Sequence, residues 1–78
     1  MLVMREKQAE QNVDDIIARL KTIRLEQGLS HEKLAEKTGL HRSTISLIES
    51  RKRQPTLLNC IKIADALDIK LDDIMKFT

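Results

Sequence analysis

The chain of 78 residues predicts one domain with a small core, and its single cysteine, Cys60, excludes an internal disulfide. Hydrophobic residues make up 41% of the chain and aromatic residues only 1%, so the core must be aliphatic; two glycines and one proline favour helices over a sheet. The net charge of +2 does not by itself indicate nucleic acid, and no segment has the pattern of a membrane span or a signal peptide.

The chain begins with an N-terminal extension, residues 1–12, that has no clear hydrophobic period. It is compatible with a frayed terminus, an extra helical turn, or an arm that reaches DNA or a second subunit. The remaining residues, 13–78, are predicted to form the folded domain.

The first helix is predicted to run from Val13 or Asp14 to Gln27, with Asn12 as its N-cap. Its core side is a stripe of aliphatic residues at helical spacing: Val13, Ile16, Ile17, Leu20 and Ile23. Leu25 lies off this stripe, and we expect it to be exposed.

The next two helices are short and meet at a glycine. Ser30 is predicted to cap the second helix, because its hydroxyl can accept a hydrogen bond from an unpaired amide. Gly39 ends that helix, since glycine adopts a left-handed conformation without the penalty of a Cβ atom. The third helix is predicted to begin near Arg42 and to place Ile45 and Ile48 on its core side.

A fourth helix is predicted from a cap at Thr56 to about Leu67. One of its faces is predicted to enter the core: Leu57, Cys60, Ile61, Ala64 and Leu67. Leu58 points elsewhere, which makes it a candidate for a subunit contact. A fifth helix is predicted from about Leu71 to Lys76.

The basic residues are concentrated over the two short helices. Residues 31–53 hold six basic and three acidic side chains, a net charge of +3, whereas residues 1–30 balance and residues 54–78 carry −1. Such an excess is what binding to a phosphate backbone requires, although a solvated protein surface would give the same pattern.

The segment of residues 29–49 resembles the helix-turn-helix of the phage Cro/repressor (XRE-like) family of DNA-binding proteins. Residues 20–24 resemble the end of the family's first helix, and residues 53–57 and 61–69 resemble its fourth helix and the exit from it. The resemblance covers most of the chain, from about residue 14 to residue 75. It implies an all-α, five-helix bundle, a lambda repressor-like DNA-binding domain.

In this family the start of the third helix reads base edges in the major groove. The residues that match these positions are Arg42, Ser43 and Leu47. Arg42 can donate two hydrogen bonds to a guanine, which discriminates against other bases by about 1–3 kcal/mol. Ser43 can make one bond to several bases, and an exposed Leu47 can make only an apolar contact. Arg42 could instead contact a phosphate, which would position the protein without specifying a sequence.

The resemblance also implies a set of contacts to the DNA backbone: His31, His41, Thr44, Ser46, Ser50, Arg51, Lys52 and Arg53. His31 stands where the family most often has glutamine, and it would bind a phosphate better when protonated. His41 stands where the family more often has a small N-cap residue, and both histidines could equally be plain surface residues. Arg51 replaces the family's usual glycine; if its φ is positive, the arginine costs on the order of 1 kcal/mol.

Arg24 and Glu49 match positions that form a structural ion pair in the family, which ties the first helix to the end of the third. Two unpaired surface charges are the alternative. If the pair is buried, removal of one partner costs more than the pair itself contributes.

A homodimer that binds two half-sites about one helical turn (~34 Å) apart would double the base contacts. The candidates for its interface are apolar residues of the C-terminal part: Leu58, Leu71, Ile74, Met75 and Phe77. Some of these residues are expected to close the core instead.

Taken together, these features predict a sequence-specific regulator of transcription that binds double-stranded DNA, a cytoplasmic repressor of bacterial or phage origin that acts as a homodimer. The chain shows no catalytic constellation, metal site or cofactor motif, so we do not expect an enzyme. Two alternatives also bind DNA: the antitoxin of a toxin–antitoxin pair, with a toxin as its partner, and the controller of a restriction–modification operon. A third alternative is a protein-interaction module without DNA binding, which Arg51 and Leu47 would favour.

Overall fold

The computed structural model describes residues 2–74, and for residues 2–7 the backbone alone. This part of the chain contains five α-helices: α1 Leu2–Glu26, α2 His31–Thr38, α3 Arg42–Glu49, α4 Leu57–Ala66 and α5 Leu71–Ile74. It contains no strand, which confirms the all-α, five-helix prediction. None of these helices combines the length and hydropathy that a bilayer crossing demands.

Helix α1 is about twice as long as the sequence indicated, so the predicted start at Val13 or Asp14 is wrong. Residues 5–11 are good helix formers without glycine or proline, and nothing in this stretch ends a helix. Asn12 is not a cap: its side chain accepts a hydrogen bond from Gln8 at 3.1 Å, and Gln11 donates to Asp15 at 3.3 Å. These pairs link successive turns of α1 and support the helix through this segment.

One aliphatic core holds the helices together. It combines residues of all five helices: Ile16, Ile17, Leu20, Leu34, Ile45, Ile48, Cys60, Ile63, Ala64, Leu67 and Ile74. Helix α2 packs against both α3 and α4, while α1 packs against α3 and α5 against α4. The predicted core stripe of α1 is confirmed, and Leu25 is exposed as predicted.

Helix α4 buries only part of the face that its sequence predicted: Cys60, Ala64 and Leu67 are in the core as expected. Leu57 and Ile61 were predicted to be buried, but they are 65% and 48% exposed, and Ile63 is buried instead. Apolar residues cover more than half of the circumference of α4, so periodicity alone cannot decide which of them face inward. Leu57, Leu58 and Ile61 together form an exposed apolar surface, which we call the α4 patch.

Two residues of α5 that were candidates for the dimer interface belong to the protomer's own core. Ile74 is only 8% exposed, and Leu71 is partly buried against the same cluster. Ile74 is therefore wrong as an exposed interface residue, because a short terminal helix must bury its apolar side to be held in place. Met75, Phe77 and the predicted end of the helix at Lys76 lie outside the described residues.

Candidate nucleic-acid interface

The turn between α2 and α3 has a defined geometry. Ser30 caps α2 by accepting a hydrogen bond from the Lys33 amide at 3.0 Å, and Gly39 ends the helix at φ 75°, as predicted. The Thr38 hydroxyl donates to the Leu34 carbonyl at 3.0 Å and accepts from the Leu40 amide at 3.1 Å. These bonds fix the angle at which the chain enters α3.

Helix α3 has one face in the core and one in solvent. Ile45 and Ile48 are completely buried, whereas Arg42, Ser43 and Ser46 are exposed. The two faces follow from the helical spacing of the apolar residues. As a result, the first two turns of α3 present hydrogen-bonding side chains outward on a backbone fixed by the core.

Two of the residues predicted to contact DNA lie between these faces. Leu47 is half-buried rather than exposed, and Thr44 is half-buried as well. The Thr44 hydroxyl accepts a hydrogen bond from Arg53 Nη1 at 3.3 Å. This contact places a cation of the following loop on the same side of the protein as the exposed face of α3.

His41 lies at the N-cap position, directly before the first residue of α3, but its side chain makes no capping hydrogen bond. Its Nδ1 lies 2.9 Å from the Ser43 hydroxyl, so these two exposed side chains form one polar group at the start of the helix. The hydroxyl can donate to the ring or accept from it. Ser43 therefore keeps hydrogen-bonding capacity for another partner.

The loop after α3 carries two exposed cations, Lys52 and Arg53. The backbone amides of both residues donate to the Leu47 carbonyl, at 2.9 and 3.2 Å. The Ser50 hydroxyl donates to the same carbonyl at 3.2 Å. The loop is thus folded back onto the end of α3. The backbone of Lys52 and Arg53 is therefore held beside the exposed face of that helix.

The sequence suggested that Arg51 would contact the DNA backbone. In the structure, its side chain does not point toward the exposed face of α3. Its backbone has φ 62°, so an arginine occupies the left-handed conformation that favours glycine. Its Nε donates to Asp14 of α1 at 2.5 Å, and its Nη2 donates to Gln54 at 3.1 Å. Its Nη1 is buried without a hydrogen-bond partner among the described residues. The side chain therefore ties the loop to α1 instead of extending to a ligand.

Arg24 of α1 is paired with Glu49 at the end of α3. Arg24 Nε donates to Oε2 at 2.7 Å and Nη2 donates to Oε1 at 2.9 Å, a two-pronged contact between side chains that are 7% and 9% exposed. Arg24 Nη1 donates to the Leu29 carbonyl at 2.6 Å. From α2, His31 Nε2 lies 2.9 Å from Glu49 Oε1. The pair links α1, the segment before α2, and α3.

The carboxylate of Glu49 is stabilised in its charged form. Burial alone would raise the pKa of Glu49, but the hydrogen bonds from Arg24 and His31 and their charges outweigh it and hold the pKa below its ordinary value of 4.5. A lowered pKa in the folded state stabilises the fold at neutral pH. This contribution is lost as the pH falls below 4.5 and through the lowered pKa.

The charge is not uniform across the helix-turn-helix. A shallow groove between α2 and the start of α3 is lined by Glu32 and Glu36 as well as by His41 and Arg42. Helix α2 balances two lysines with two glutamates, so the net positive charge lies at the start of α3 and on the loop after it. This restricts the surface that suits an anionic partner.

The potential metal ligands among the described residues are dispersed, and the thiol of Cys60 is buried. No group of three or more potential metal ligands lies together in this part of the chain. Cys60 is buried in the core; burial raises the pKa of its thiol, and the charge of Arg51 offsets this only in part. A protonated, buried thiol is not a nucleophile.

Three supporting residues were not predicted from the sequence. Thr38 reinforces the turn, Asp14 anchors Arg51, and Gln27 donates from Nε2 to the Leu67 carbonyl at 2.7 Å, which joins the ends of α1 and α4. Only Thr38 gave a local signal, because threonine next to a terminal glycine often bonds to nearby backbone. The other two contacts join residues 37 and 40 positions apart in sequence.

Comparison with known proteins identifies what this arrangement resembles. A family model described as helix-turn-helix matches residues 20–74, well over half of the chain. YgzD of Bacillus subtilis, described as an uncharacterized HTH-type transcriptional regulator, is 38% identical over 56 residues, which cover 72% of this chain and 85% of YgzD.

Two further relatives extend this similarity. An uncharacterized HTH-type transcriptional regulator of Archaeoglobus fulgidus is 34% identical over 59 residues, which cover 76% of this chain and 84% of the relative. Control protein C.BamHI of Bacillus amyloliquefaciens is 41% identical over 61 residues, which cover 77% of this chain and 75% of the relative. These names describe regulators, a kind of protein that is not an enzyme.

Replacement of Arg51 by glycine or by alanine separates its backbone strain from its side-chain contacts. Both variants lose the bonds to Asp14 and Gln54, but only glycine relieves the left-handed conformation. We expect Arg51→Gly to be more stable than Arg51→Ala by about 1 kcal/mol in urea unfolding. Equal stability of the two variants would show that residue 51 is not held at positive φ.

Proposed function

The chain belongs to the helix-turn-helix family of DNA-binding transcriptional regulators, and we propose that it is a repressor that binds a specific double-stranded sequence as a homodimer. One observation supports this most strongly: the exposed start of α3 carries Arg42 and Ser43, on a helix whose other face is buried. We further propose that it acts in the cytoplasm of a bacterial cell, on DNA of bacterial or phage origin.

In this proposal α3 lies in the major groove, where an α-helix fits and base edges present distinct donors and acceptors. Arg42 donates two hydrogen bonds to a guanine. The Ser43 hydroxyl is already hydrogen-bonded to His41 at 2.9 Å, and it makes a further hydrogen bond to a neighbouring base. Leu47 is half-buried and therefore offers only its outer surface, for example to a thymine methyl group.

Lys52 and Arg53 provide the contacts that hold the protein on the duplex. Both are exposed, and the Arg53–Thr44 contact puts their loop beside α3. Cations that neutralise phosphates release counterions, so each contact steepens the salt dependence by about 0.9 in log–log slope. Arg51 is left out of this set, because Asp14 and Gln54 occupy two of its nitrogen atoms.

The α4 patch is the proposed dimer interface. Leu57, Leu58 and Ile61 are 65%, 59% and 48% exposed, and they adjoin one another on the first turns of α4. A two-fold symmetric dimer would bury the same patch on both protomers and remove these aliphatic side chains from water. Two half-sites would then be read by the two copies of α3.

The similarity to Control protein C.BamHI favours a second candidate, the controller of a restriction–modification operon. Both candidates bind DNA through the same face and differ only in the genes that they regulate. Identification of the bound sequence by selection from a random pool of duplexes would distinguish them, since a controller would bind upstream of its own operon.

Substitutions at Arg42 and Lys52 test the division between base and backbone contacts. We expect Arg42→Ala to weaken binding to the selected sequence by about tenfold or more and to relax specificity at one base pair. Lys52→Ala should weaken binding to selected and random duplexes alike and reduce the salt slope by about 0.9. Fluorescence anisotropy at two salt concentrations measures both effects.

Equal effects of the two substitutions on every sequence would contradict the base-reading role of Arg42. A salt slope near zero for the unmodified protein would contradict DNA binding altogether, and would instead favour a protein-interaction module.

Substitution of Leu58 tests the dimer. Leu58→Glu places a charge in the α4 patch, and because the side chain is exposed, the protomer should still fold. We expect sedimentation to show monomers, and affinity for a two-half-site duplex to fall toward that for a single half-site. The matched control is Leu25→Glu, since Leu25 is equally exposed at 57% but lies on α1. A dimer that survives Leu58→Glu but not Leu25→Glu would refute this interface.

A further inference from the structure

His31, the first residue of α2, has one of its two ring nitrogens already engaged. Its Nε2 lies 2.9 Å from Glu49 Oε1, the same oxygen that accepts a bond from Arg24 Nη2 at 2.9 Å. The His31 side chain is nevertheless 36% exposed, whereas that of Glu49 is 9% exposed. His31 therefore joins a buried carboxylate to the protein surface.

The carboxylate determines which tautomer a neutral His31 adopts. Burial opposes ionisation of Glu49, but two hydrogen bonds from Arg24 and the charge of its guanidinium act against burial; the pKa of Glu49 is lowered, and its carboxylate is ionised. An ionised carboxylate only accepts hydrogen bonds, so His31 Nε2 must carry the hydrogen. In a neutral imidazole the other nitrogen, Nδ1, then has a lone pair and can only accept.

This assignment conflicts with a phosphate contact by neutral His31. When α3 occupies the major groove, the preceding helix of such a unit crosses the DNA backbone, and His31 is the first residue of that helix. Phosphate oxygens only accept, as Nδ1 does in this tautomer. Protonation adds a hydrogen at Nδ1 without disturbing the bond from Nε2 to Glu49.

We propose that His31 binds a DNA phosphate through Nδ1 only in its protonated form, so that DNA binding takes up a proton at this residue. This inference rests on the proposed function. Affinity for DNA therefore rises as the pH falls, and the N–H formed at Nδ1 donates a hydrogen bond to a phosphate oxygen.

The groups that face His31 are charged residues of three helices. Glu49 faces it from α3 and is ionised above its lowered pKa, and Arg24 of α1 donates to the same carboxylate oxygen. On α2 itself the adjacent Glu32 and Lys33 are exposed to solvent. Histidine is the side chain that gains or loses a proton between pH 5 and 8.

His41 provides the matched comparison. It is exposed and lies directly before the first residue of α3, but its Nδ1 lies 2.9 Å from the Ser43 hydroxyl. A hydroxyl donates or accepts, so it imposes neither tautomer. Neutral His41 can therefore present an N–H to a phosphate, and its contact does not require a proton from solution.

The test is the affinity of the protein for a mixed-sequence duplex between about pH 8 and pH 5.5, at constant ionic strength. A phosphate contact needs no particular base sequence, so the operator need not be known. We expect about tenfold tighter binding at the lower pH, the gain typical of one charge-assisted hydrogen bond. His31→Gln, whose neutral amide donates at every pH, should remove this dependence, and His41→Gln should retain it.

Unfolding of His31→Gln at both pH values, measured by circular dichroism, shows whether the variant is folded where its affinity is compared. Affinity that does not change with pH, or a pH dependence that survives in His31→Gln, overturns this inference while leaving the proposed function intact. Absence of DNA binding at every pH overturns the proposed function and the inference together.

Discussion

The carboxylate of Glu49 is the point at which three helices of the bundle meet. Glu49 is the last residue of α3. Its carboxylate accepts two hydrogen bonds from Arg24 of α1 and is also hydrogen-bonded to His31 of α2. Helix α3 has only eight residues, and a helix of that length is not stable in isolation. Its position must therefore come from contacts with its neighbours, and this is the charged contact that anchors its C-terminal end.

The other end of α3 is positioned by different means. The left-handed Gly39 and the hydrogen bonds of Thr38 set the direction in which the chain enters the helix, and Ile45 and Ile48 hold one side in the core. With the backbone fixed at both ends, the outward side chains are arranged in advance. Such preorganisation matters for recognition, because side chains that are already ordered lose less entropy on binding.

Two side chains that the sequence predicted to bind phosphates instead make hydrogen bonds within the protein. Arg51 bonds to Asp14 and Gln54, and His31 bonds to Glu49. For Arg51 this removes the side chain from the interface. For His31 it leaves one nitrogen free but sets the protonation state in which that nitrogen can donate. Internal hydrogen bonds thus select which of the basic residues of this surface can bind an anion.

Local signals were sufficient to place the ends of the short helices and the turn between α2 and α3. The caps at Ser30 and Thr56 and the stop at Gly39 depend only on neighbouring residues, and all three are found where the sequence placed them. The start of α1 was predicted wrongly because Asn12 resembles a cap, although the residues before it form helix equally well. The buried face of α4 was partly wrong because both of its faces are apolar, and only tertiary packing decides between them.

The partners of Arg51 and His31 could not be read from the sequence for a related reason. Asp14 and Arg51 are 37 positions apart, and His31 and Glu49 are 18 apart, so no periodic pattern brings them together. The Arg24–Glu49 pair spans 25 positions and was expected only through the resemblance to a family. Long-range polar contacts depend on the packed fold, and therefore on information that a local pattern does not contain.

A double-mutant cycle on Arg24 and Glu49, with the free energy of unfolding taken from urea titration at neutral pH, tests the role of their contact most directly. Arg24→Gln and Glu49→Gln should each lower that free energy by about 3 kcal/mol or more, since each leaves a buried polar group without its partner, and the double variant should lose much less than the sum. The control is Lys33→Gln, which removes an exposed pair with Glu36 at 3.8 Å and should cost under about 1 kcal/mol. Strictly additive losses, or an Arg24→Gln variant as stable as Lys33→Gln, would contradict the view that this buried pair holds α3 in place.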